Sequence, residues 1–379
     1  MKLATFGPVD AGQVKAAAKE ALEALGAAPR LTVLYAPATA DHAALLRELK
    51  SVSDVPLVGA TTGGAGFTER GVTETGIVGG FIGGDVEVRH AVARDLGDNA
   101  GAKIHDAMQA LGKSSMPHHA LLSLMDAFAC DGEALVESLR RSTPPHWPIL
   151  GGTAGDGWTF QGTRVFADQE VLAGAAVLVY LGTRQRLALG VRHGWCAASE
   201  GAEFEVTKIE GNVLKELDGR PAVDVYREEL RRLGLLDEGE DLVRQMARFE
   251  IGVRSVLGDE LKIRAPLGIG EDGSITLASS LAKRDRVRVV VANPDDLIAA
   301  ARALASRTVG QLPSAVTGQL VFDCAARQQL LKERYGEQVS AFLDGGRHPL
   351  LGFACYGEIA RFSGAIEGFH NTTAVAAAW

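Results

Sequence analysis

Apolar residues along the chain fall into short continuous runs, typical of buried strands, and into stretches with helical spacing. The first group begins with a β-rich run at residues 31–35, which predicts a strand. A stretch at 42–50 follows, and its leucines share one face of a helix. Residues 56–64 then predict a buried strand that runs into a glycine turn. Two further strands, at 75–82 and 86–93, complete a β-α-β-β-β unit.

The same order of elements recurs twice, which indicates an internal repeat. In the second copy, the Pro-to-Gly segment at 148–156 matches residues 56–64 nearly position for position. Its other predicted elements are a strand at 120–125, a helix at 132–141, and strands at 174–181 and 187–193. The third copy has a strand at 317–322, a helix that starts at 326–335, a glycine turn at 349–358 and a closing strand at 372–378.

The segment between the second and third copies differs from them and is a candidate for a degenerate fourth unit. Its predicted elements are strands at 204–209, 250–256, 275–277 and 287–291, helices at 219–233 and 294–306, and a hairpin turn at 271–274. The predicted fold class is therefore α/β with mixed (α+β) sheets covered by helices. We expect two lobes of pseudosymmetric units, at residues 1–205 and 206–379.

Composition and charge narrow the class of protein. The 379 residues exceed what one core usually serves, and 46% hydrophobic with 23% charged residues is typical of a globular protein. The net charge of −8, without a dense Lys/Arg stripe, argues against nucleic acid as a partner. The four cysteines lie far apart and form no C-x-x-C pair, which argues against a zinc site or a disulfide scaffold.

The sequence shows no membrane or export signal. The amino terminus has no apolar h-region, and the longest apolar run, 172–181, is about half of what a membrane-spanning helix needs. We therefore predict a cytoplasmic protein with no membrane partner.

The glycine turn of the second unit is a candidate ligand site. Backbone N–H groups at Gly151 and Gly152 could face one anion, such as a carboxylate or phosphate, at the end of a strand. Asp156 adds a carboxylate that could hold an ammonium group. The alternative is that these glycines only make a tight turn. The spacing is not that of a dinucleotide-binding fingerprint.

Cys324 and Arg327 form a second candidate, one helical turn apart. The guanidinium could lower the pKa of the Cys324 thiol or clamp a ligand carboxylate in a bidentate manner. The alternative for Cys324 is a small buried apolar residue.

Polar residues cluster around the glycine turn of the third unit. They are Tyr356, Glu358, His370, Asn371 and Thr372. Glu358 could pair with Arg327 or with a ligand amine, and Tyr356 could supply a hydroxyl group. Asn371 and Thr372 could instead bond the local backbone, and His370 is either a haem or metal ligand or a structural histidine.

Five short runs of the sequence resemble the FIST proteins, which carry an amino-terminal FIST domain and a carboxy-terminal FIST C domain. The runs are GGTAGD at 151–156, VTKIEGN at 206–212 with LDGRPA at 217–222, CAAR at 324–327, GFACYGEI at 352–359 and HNTT at 370–373. The resemblance covers nearly the whole chain. It implies a small-molecule-binding sensory protein of intracellular signal transduction, with an amino acid or another small carboxylate as ligand.

The resemblance also implies partners and alternatives. Stand-alone FIST proteins act on a separate enzyme, here a histidine kinase or a cyclic-dinucleotide enzyme in trans. Some bind haem and sense nitric oxide, so a haem-bound gas sensor is the alternative, with His193 or His370 as axial ligand and no covalent attachment site. A second alternative is an enzyme that uses Cys324 or Cys355 as nucleophile and His370 as base. We predict no cofactor for the leading, non-enzymatic hypothesis.

Overall fold

The computed structural model describes residues 1–199, 201–254, 261–362 and 367–379. Its strands are β1 (Lys2–Val9), β2 (Pro29–Ala36), β3 (Leu57–Thr61), β4 (Gly66–Thr68), β5 (Gly71–Thr73), β6 (Ile77–Gly83), β7 (Val86–Ala93), β8 (His118–Met125), β9 (Ile149–Thr153), β10 (Val165–Ala167), β11 (Glu170–Leu172), β12 (Ala176–Thr183), β13 (Ala188–Arg192), β14 (Cys196–Ala197), β15 (Phe204–Glu210), β16 (Val213–Leu217), β17 (Arg220–Pro221), β18 (Phe249–Arg254), β19 (Leu261–Arg264), β20 (Pro266–Ile269), β21 (Ile275–Leu277), β22 (Arg286–Val291), β23 (Gln319–Cys324), β24 (Leu350–Cys355), β25 (Glu358–Arg361), β26 (Gly368–His370) and β27 (Ala374–Ala378).

The α-helices are α1 (Val14–Ala24), α2 (His42–Val52), α3 (Ala100–Ala110), α4 (Gly132–Ser142), α5 (Ala222–Arg232), α6 (Leu242–Gln245), α7 (Pro294–Val309), α8 (Ala325–Leu331) and α9 (Tyr335–Ala341). Two of them begin in the same way in successive units. Asp41 and Asp131 accept hydrogen bonds from the third backbone N–H of α2 and α4, which caps an otherwise unpaired helix end. The predicted α/β class with mixed sheets is confirmed.

Three six-stranded sheets share one connectivity. Their strand orders are β1-β6-β2-β3-β10-β11, β7-β12-β8-β9-β25-β26 and β13-β27-β23-β24-β4-β5. In each sheet the third and fourth strands form a parallel pair, and the other neighbours are antiparallel. A helix lies between the two strands of each parallel pair along the chain, as expected for a parallel connection.

Each unit gives its hairpin to the sheet of another unit. The β4–β5 hairpin pairs with β24 of the third unit, β10–β11 pairs with β3 of the first, and β25–β26 pairs with β9 of the second. Residues before and after the predicted boundary at 205 therefore share sheets. The position of that domain boundary stays a prediction.

The sheets correct the predicted order of strands within the units. Strand β7, predicted to close the first unit, is the edge strand of the second sheet, and β13 is likewise the edge strand of the third sheet. The structure also shows β1, α1 and α3, which were not predicted. Each unit thus begins with an edge strand and a helix before its parallel pair.

The inner faces of the three sheets pack around one apolar core. It joins Val33 of the first sheet, Leu122 of the second and Phe353 of the third, each 0% exposed. Tyr35 stacks on Phe353 across this core, with ring centroids 4.2 Å apart. The outer faces are covered by α1 and α2, by α3 and α4, and by α7 to α9, respectively. Each of the three six-stranded sheets is therefore covered on both sides.

The segment between β13 and α7 forms a subdomain with a nine-stranded sheet. All of its described strand pairs are antiparallel, so it lacks the parallel pair that defines the repeated units. It is therefore not a degenerate copy of them. Strand β18 ends at Arg254, and residues 255 and 256 of the predicted strand lie outside the described residues.

Three main-chain hydrogen bonds join the units where the hairpins cross between sheets. Gly63 N–H donates to Ala354 O at 2.6 Å, Gly155 N–H to Thr61 O at 2.9 Å, and Tyr356 N–H to Thr153 O at 3.3 Å. Donors and acceptors occupy equivalent positions in the three glycine turns. The three predicted turns therefore meet at one place.

Gly155→Ala tests this close crossing. A Cβ atom at residue 155 would lie 2.2 Å from Gly63 Cα and 2.5 Å from Gly63 N, so backbone would have to move. We expect the free energy of unfolding, measured in urea, to fall by about 2 kcal/mol or more. Gly336→Ala in α9 is the control, because nothing lies within 4 Å of its Cβ position; it should be neutral or stabilising by up to about 1 kcal/mol. Equal effects of the two substitutions would contradict the crossing.

Candidate functional site

A cavity of about 510 Å³ lies where the second unit, the third unit and the subdomain meet. Two parallel pairs end at it: Met125 and Thr153 end β8 and β9, and Cys324 and Cys355 end β23 and β24. The subdomain covers it with residues that include Leu267. Strand ends of this kind are the usual ligand site of α/β proteins.

The rim of the cavity is apolar and unusually exposed. Phe128, Phe160 and Leu267 have 53%, 52% and 49% of their surface exposed, and all three line it. They are three of the five large apolar side chains that are exposed in the described part of the chain. The Phe160 ring also stacks on Tyr356, with centroids 5.4 Å apart. Such a concentration of exposed apolar surface is typical of a binding site.

A small number of polar groups face the same cavity. Asn371 Oδ1 and Thr153 Oγ1 are buried and have no hydrogen-bond partner in the described structure. Asp131 accepts a hydrogen bond from Ser280 Oγ at 3.2 Å, across the junction between unit and subdomain. Unpaired buried polar atoms are rare and costly, so they indicate a place where a ligand or water completes the bonding.

The thiols of Cys324 and Cys355 line the cavity, and the Glu358 carboxyl group lies next to Cys355. Cys355 Sγ donates to Glu358 Oε1 at 3.3 Å, and Glu358 Oε2 accepts from Thr373 N–H at 3.0 Å. Burial raises the pKa of Cys324, of Cys355 and of Glu358 well above their ordinary values. The prediction that Arg327 lowers the pKa of Cys324 is therefore wrong: desolvation and the charge of Glu358 dominate.

Arg327 is fully buried and faces away from the cavity. Its guanidinium donates to the carbonyl oxygen of His193 and to Gln338 Oε1 (2.7 Å), and its Nε lies 2.9 Å from Asp323 Oδ1. Burial raises the pKa of Asp323 to about 6, although Arg327 opposes the shift. Arg327 pairs with Asp323 rather than with Glu358. It therefore holds the third unit together and is not placed to clamp a ligand carboxylate.

Asp156 stabilises the loop that carries the aromatic rim. Its carboxylate accepts N–H bonds from Phe160, Gln161 and Gly162, and a bond from the Tyr356 hydroxyl at 2.6 Å. Burial acts to raise the pKa of Asp156, but these hydrogen bonds outweigh it and hold the pKa at about 2. The carboxylate is therefore already satisfied within the protein, and an ammonium site at this residue is not supported.

The other predicted site residues surround the cavity without all lining it. Cys324, Tyr356 and Asn371 line it, and their role in ligand binding stays a prediction. Gly151 and Gly152 are paired with β25 inside the second sheet and form no open anion cradle. His370 lies directly across the ladder from Glu358. Thr372 has φ +49°, a conformation that is rare for a β-branched residue, and it does not line the cavity.

Neither histidine proposed for haem lines the cavity. His193 Nδ1 accepts a bond from Trp195 N–H at 2.9 Å, and burial together with Arg327 lowers its pKa to about 4. His370 is 3% exposed within β26. These surroundings do not fit an axial ligand that faces a haem-sized space. In the described part of the chain, no three His, Cys, Asp or Glu side chains are grouped to hold a metal ion.

A second cleft, of about 630 Å³, lies at the opposite ends of the strands of the second unit. It is open and lined by polar and aromatic side chains that include His118, His119, His146, Trp147, Arg186 and Arg307. The rings of His119 and Trp147 already stack on each other, 4.7 Å apart. The cleft has neither the carboxyl ends of the parallel strands nor the exposed apolar rim, so the first cavity is the candidate site.

Several lining residues were not predicted from the sequence. Phe128 and Cys130 lie in the loop after β8, Phe160 in the loop after β9, and Leu267 and Asn212 in the subdomain. Aromatic residues in the loops that directly follow two repeated strands are the signal that could have identified Phe128 and Phe160. The subdomain residues carry no such local signal.

This arrangement defines a mixed α/β protein with a ligand-sized cavity at its strand ends. Comparison with family models gives the FIST N domain at residues 30–220 and the FIST C domain at residues 222–361. The chain belongs to the FIST family, and FIST domains are generally associated with sensing in signal transduction.

Three uncharacterized proteins are similar to this chain over different shares of its length. An uncharacterized protein of Mycobacterium tuberculosis (MT0656) is 28% identical over 275 residues, which is 68% of each chain. An uncharacterized protein of Mycobacterium bovis (Mb0898c) is 27% identical over 67% of this chain and 66% of its own length. MJ1623 of Methanocaldococcus jannaschii, also uncharacterized, is 37% identical over 22% of this chain and 16% of its own. Across the described residues, no helix is both long and apolar enough for a membrane span.

Asp156→Asn tests the role of the carboxylate as a loop anchor. The folded-state pKa of about 2 lies below the ordinary 3.8, so the ionised group stabilises the fold above pH 3.8 and this contribution is lost as the pH falls through 2. The difference corresponds to about 2 kcal/mol. We expect the variant to lose about that much unfolding free energy at pH 7, and the gap to close near pH 2.

The matched control is Asp54→Asn, whose side chain is fully exposed. It should change the unfolding free energy by less than about 0.5 kcal/mol at either pH. A pH-independent effect of Asp156→Asn would show that ionisation of this carboxyl does not stabilise the loop.

Proposed function

We propose that this protein is a small-molecule-binding sensory protein whose ligand enters the 510 Å³ cavity. The observation that carries the proposal is the concentration of exposed apolar side chains around buried, unpaired polar atoms at the ends of two repeated strand pairs. The volume lies within the range of about 300–1,000 Å³ that is usual for ligand sites. Family membership supports a sensory role.

The lining favours a ligand with an apolar, preferably aromatic, body and one polar head. Phe160, Trp158 and Tyr356 offer ring faces and edges to the body. Asn371 could form a hydrogen bond with the polar head of the ligand, and Asp131 could form an ion pair with an ammonium group. An amino acid or other small carboxylate remains the proposed class, but no Lys or Arg lines the described cavity wall. Affinity should therefore come mainly from the apolar part of the ligand.

A ligand in the cavity would contact both the three-sheet body and the subdomain. These two parts already meet through Glu133, which accepts hydrogen bonds from Lys262 and Arg264 of the subdomain. A ligand that bridges them favours the arrangement in which both walls are in place. We propose that this shift is the signal, passed in trans to a separate histidine kinase or cyclic-dinucleotide enzyme.

The geometry gives less support to the two alternative functions, a haem-bound gas sensor and a cysteine-dependent enzyme. A haem-bound gas sensor needs a histidine that faces a space for the haem, and neither His193 nor His370 lines the cavity. A cysteine-dependent enzyme needs a cysteine that is ionised near neutral pH. Burial raises the pKa of both Cys324 and Cys355, which disfavours their thiolate forms. The FIST family is itself regarded as sensory.

Thermal-shift measurements with L-tryptophan, L-phenylalanine and phenylacetate test the proposal, with L-alanine and acetate as probes that lack an apolar body. We expect stabilisation by at least one aromatic probe and none by the small ones. A probe at about one hundred times its Kd should add roughly 2.7 kcal/mol to the unfolding free energy. Equal stabilisation by L-alanine, or none by any aromatic probe, would contradict the proposed ligand class.

Phe160→Ala should weaken binding of the same probe by roughly tenfold, because the ring contributes about 1.5 kcal/mol of apolar contact. Val171→Ala is the control. Val171 is also an exposed apolar residue, 37% exposed, but it lies outside the cavity. An equal loss of affinity in both variants would place the binding site elsewhere.

A further inference from the structure

Three of the four cysteines come together at the candidate cavity, although they are far apart in the sequence. Cys130, Cys324 and Cys355 all line it, while Cys196 is exposed on β14 of the subdomain. Met125 adds a fourth sulfur atom, 3.7 Å from Cys130 Sγ. Neither the proposed ligand nor the loop anchors account for this clustering.

Cys324 and Cys355 have the geometry of a pair. They are register partners at the ends of two adjacent parallel strands. Phe322 and Phe353, two residues earlier, both point into the central core, so the two cysteines share that face. Neighbouring strands lie about 4.8 Å apart, which is within the Cα separation of roughly 4.4–6.8 Å that a disulfide spans.

Glu358 lies beside the thiol pair. Its carboxyl group accepts a hydrogen bond from Cys355 Sγ at 3.3 Å. Asn371 lines the cavity as well; it is 1% exposed, and its Oδ1 has no hydrogen-bond partner in the described structure. A thiol pair, a carboxyl group bonded to one of the thiols and an unpaired amide oxygen therefore lie together at the cavity.

We propose that Cys324 and Cys355 form a redox-active dithiol, which a hydroperoxide entering the cavity converts to a disulfide. The proposal does not rest on the identity of the sensed ligand.

The reaction proceeds in two balanced steps. Cys324 is 4% exposed and Cys355 is 0% exposed, so Cys324 meets the peroxide first. Its sulfur attacks the O–O bond and becomes a sulfenic acid, and the peroxide leaves as an alcohol, or as water when it is hydrogen peroxide. Cys355 sulfur then attacks the Cys324 sulfur, the S–O bond breaks, and hydroxide leaves as water with the Cys355 proton. Glu358 is placed to relay that proton.

The pH dependence should separate this pair from an ordinary surface thiol. Thiolate is the attacking form, and burial raises the pKa of both thiols above 9.0. The rate of disulfide formation should therefore still be rising at pH 9.0. Cys196 is exposed and outside this cluster, so it serves as an internal reference for direct oxidation.

The test uses the full chain, first reduced and then treated with hydrogen peroxide under native conditions. After unfolding, free thiols are alkylated and the masses of the intact protein and its peptides are measured. We expect Cys324 and Cys355 to escape alkylation together, with the mass of two hydrogen atoms lost, and to be released again by a reductant. Cys196→Ser and Cys130→Ser should form the same disulfide.

Cys355→Ser provides a second readout. It should leave a sulfenic acid at Cys324 that dimedone captures, with no internal disulfide. Full alkylation of both cysteines in peroxide-treated wild type, or their oxidation without a bond between them, would overturn the proposal. Because the wild-type measurement needs no variant, a folding defect in Cys355→Ser would not remove the test.

Discussion

The structure depends on a ring of main-chain hydrogen bonds at the place where three strands leave their own sheets. The N–H groups of Gly63, Gly155 and Tyr356 each bond a carbonyl group of another unit. Buried backbone groups must be paired, so the three crossings support one another. Glycine is required at residue 155 because a Cβ would collide with Gly63. None of the three six-stranded sheets is complete without a hairpin from another unit, which ties the central core to this crossing.

The same crossing explains where the cavity lies. It gathers the ends of the parallel pairs, and the subdomain covers two of them. The loop after β9 carries Phe160 of the rim. Hydrogen bonds of the Asp156 carboxylate, to Phe160 N–H and to the Tyr356 hydroxyl, hold this loop in place. The repeated units thus form the three-sheet body, while the inserted subdomain makes two pairs of strand ends different from the third. The candidate ligand site lies at the two pairs that the subdomain covers.

Local patterns predicted the local structure well. Continuous apolar runs and glycine turns located the parallel pairs, because burial and turn geometry act on neighbouring residues. The hairpin exchange could not be predicted, since pairing partners such as β10 and β3 are separated by about a hundred residues and are set by hydrogen bonds across the core. Strands β7 and β13 were assigned to the wrong units for the same reason: adjacency in sequence does not decide which edge a strand joins.

The predicted site residues also fall into two groups: those that local sequence patterns located, and those whose partners only the fold determines. Cys324, Tyr356 and Asn371 were predicted because they directly follow or flank repeated strands. Arg327 and Asp156 were expected to meet a ligand, but both are satisfied inside the protein. A side chain's type gives its bonding capacity, and only the fold decides its partner. Phe128 and Phe160 were missed because the loops after β8 and β9 were not searched for aromatic residues, and Leu267 was missed because nothing local in the subdomain sequence marks it as part of a rim.

We propose that a ligand binds between the three-sheet body and the subdomain, at the strand ends. Amide hydrogen exchange, measured with and without the most stabilising aromatic probe, tests this location. We expect slower exchange in the loops after β8 and β9 and in the facing subdomain residues 277–280, with little change around His119 and Trp147. Protection confined to the cleft near those two residues, or absent from the subdomain, would contradict it.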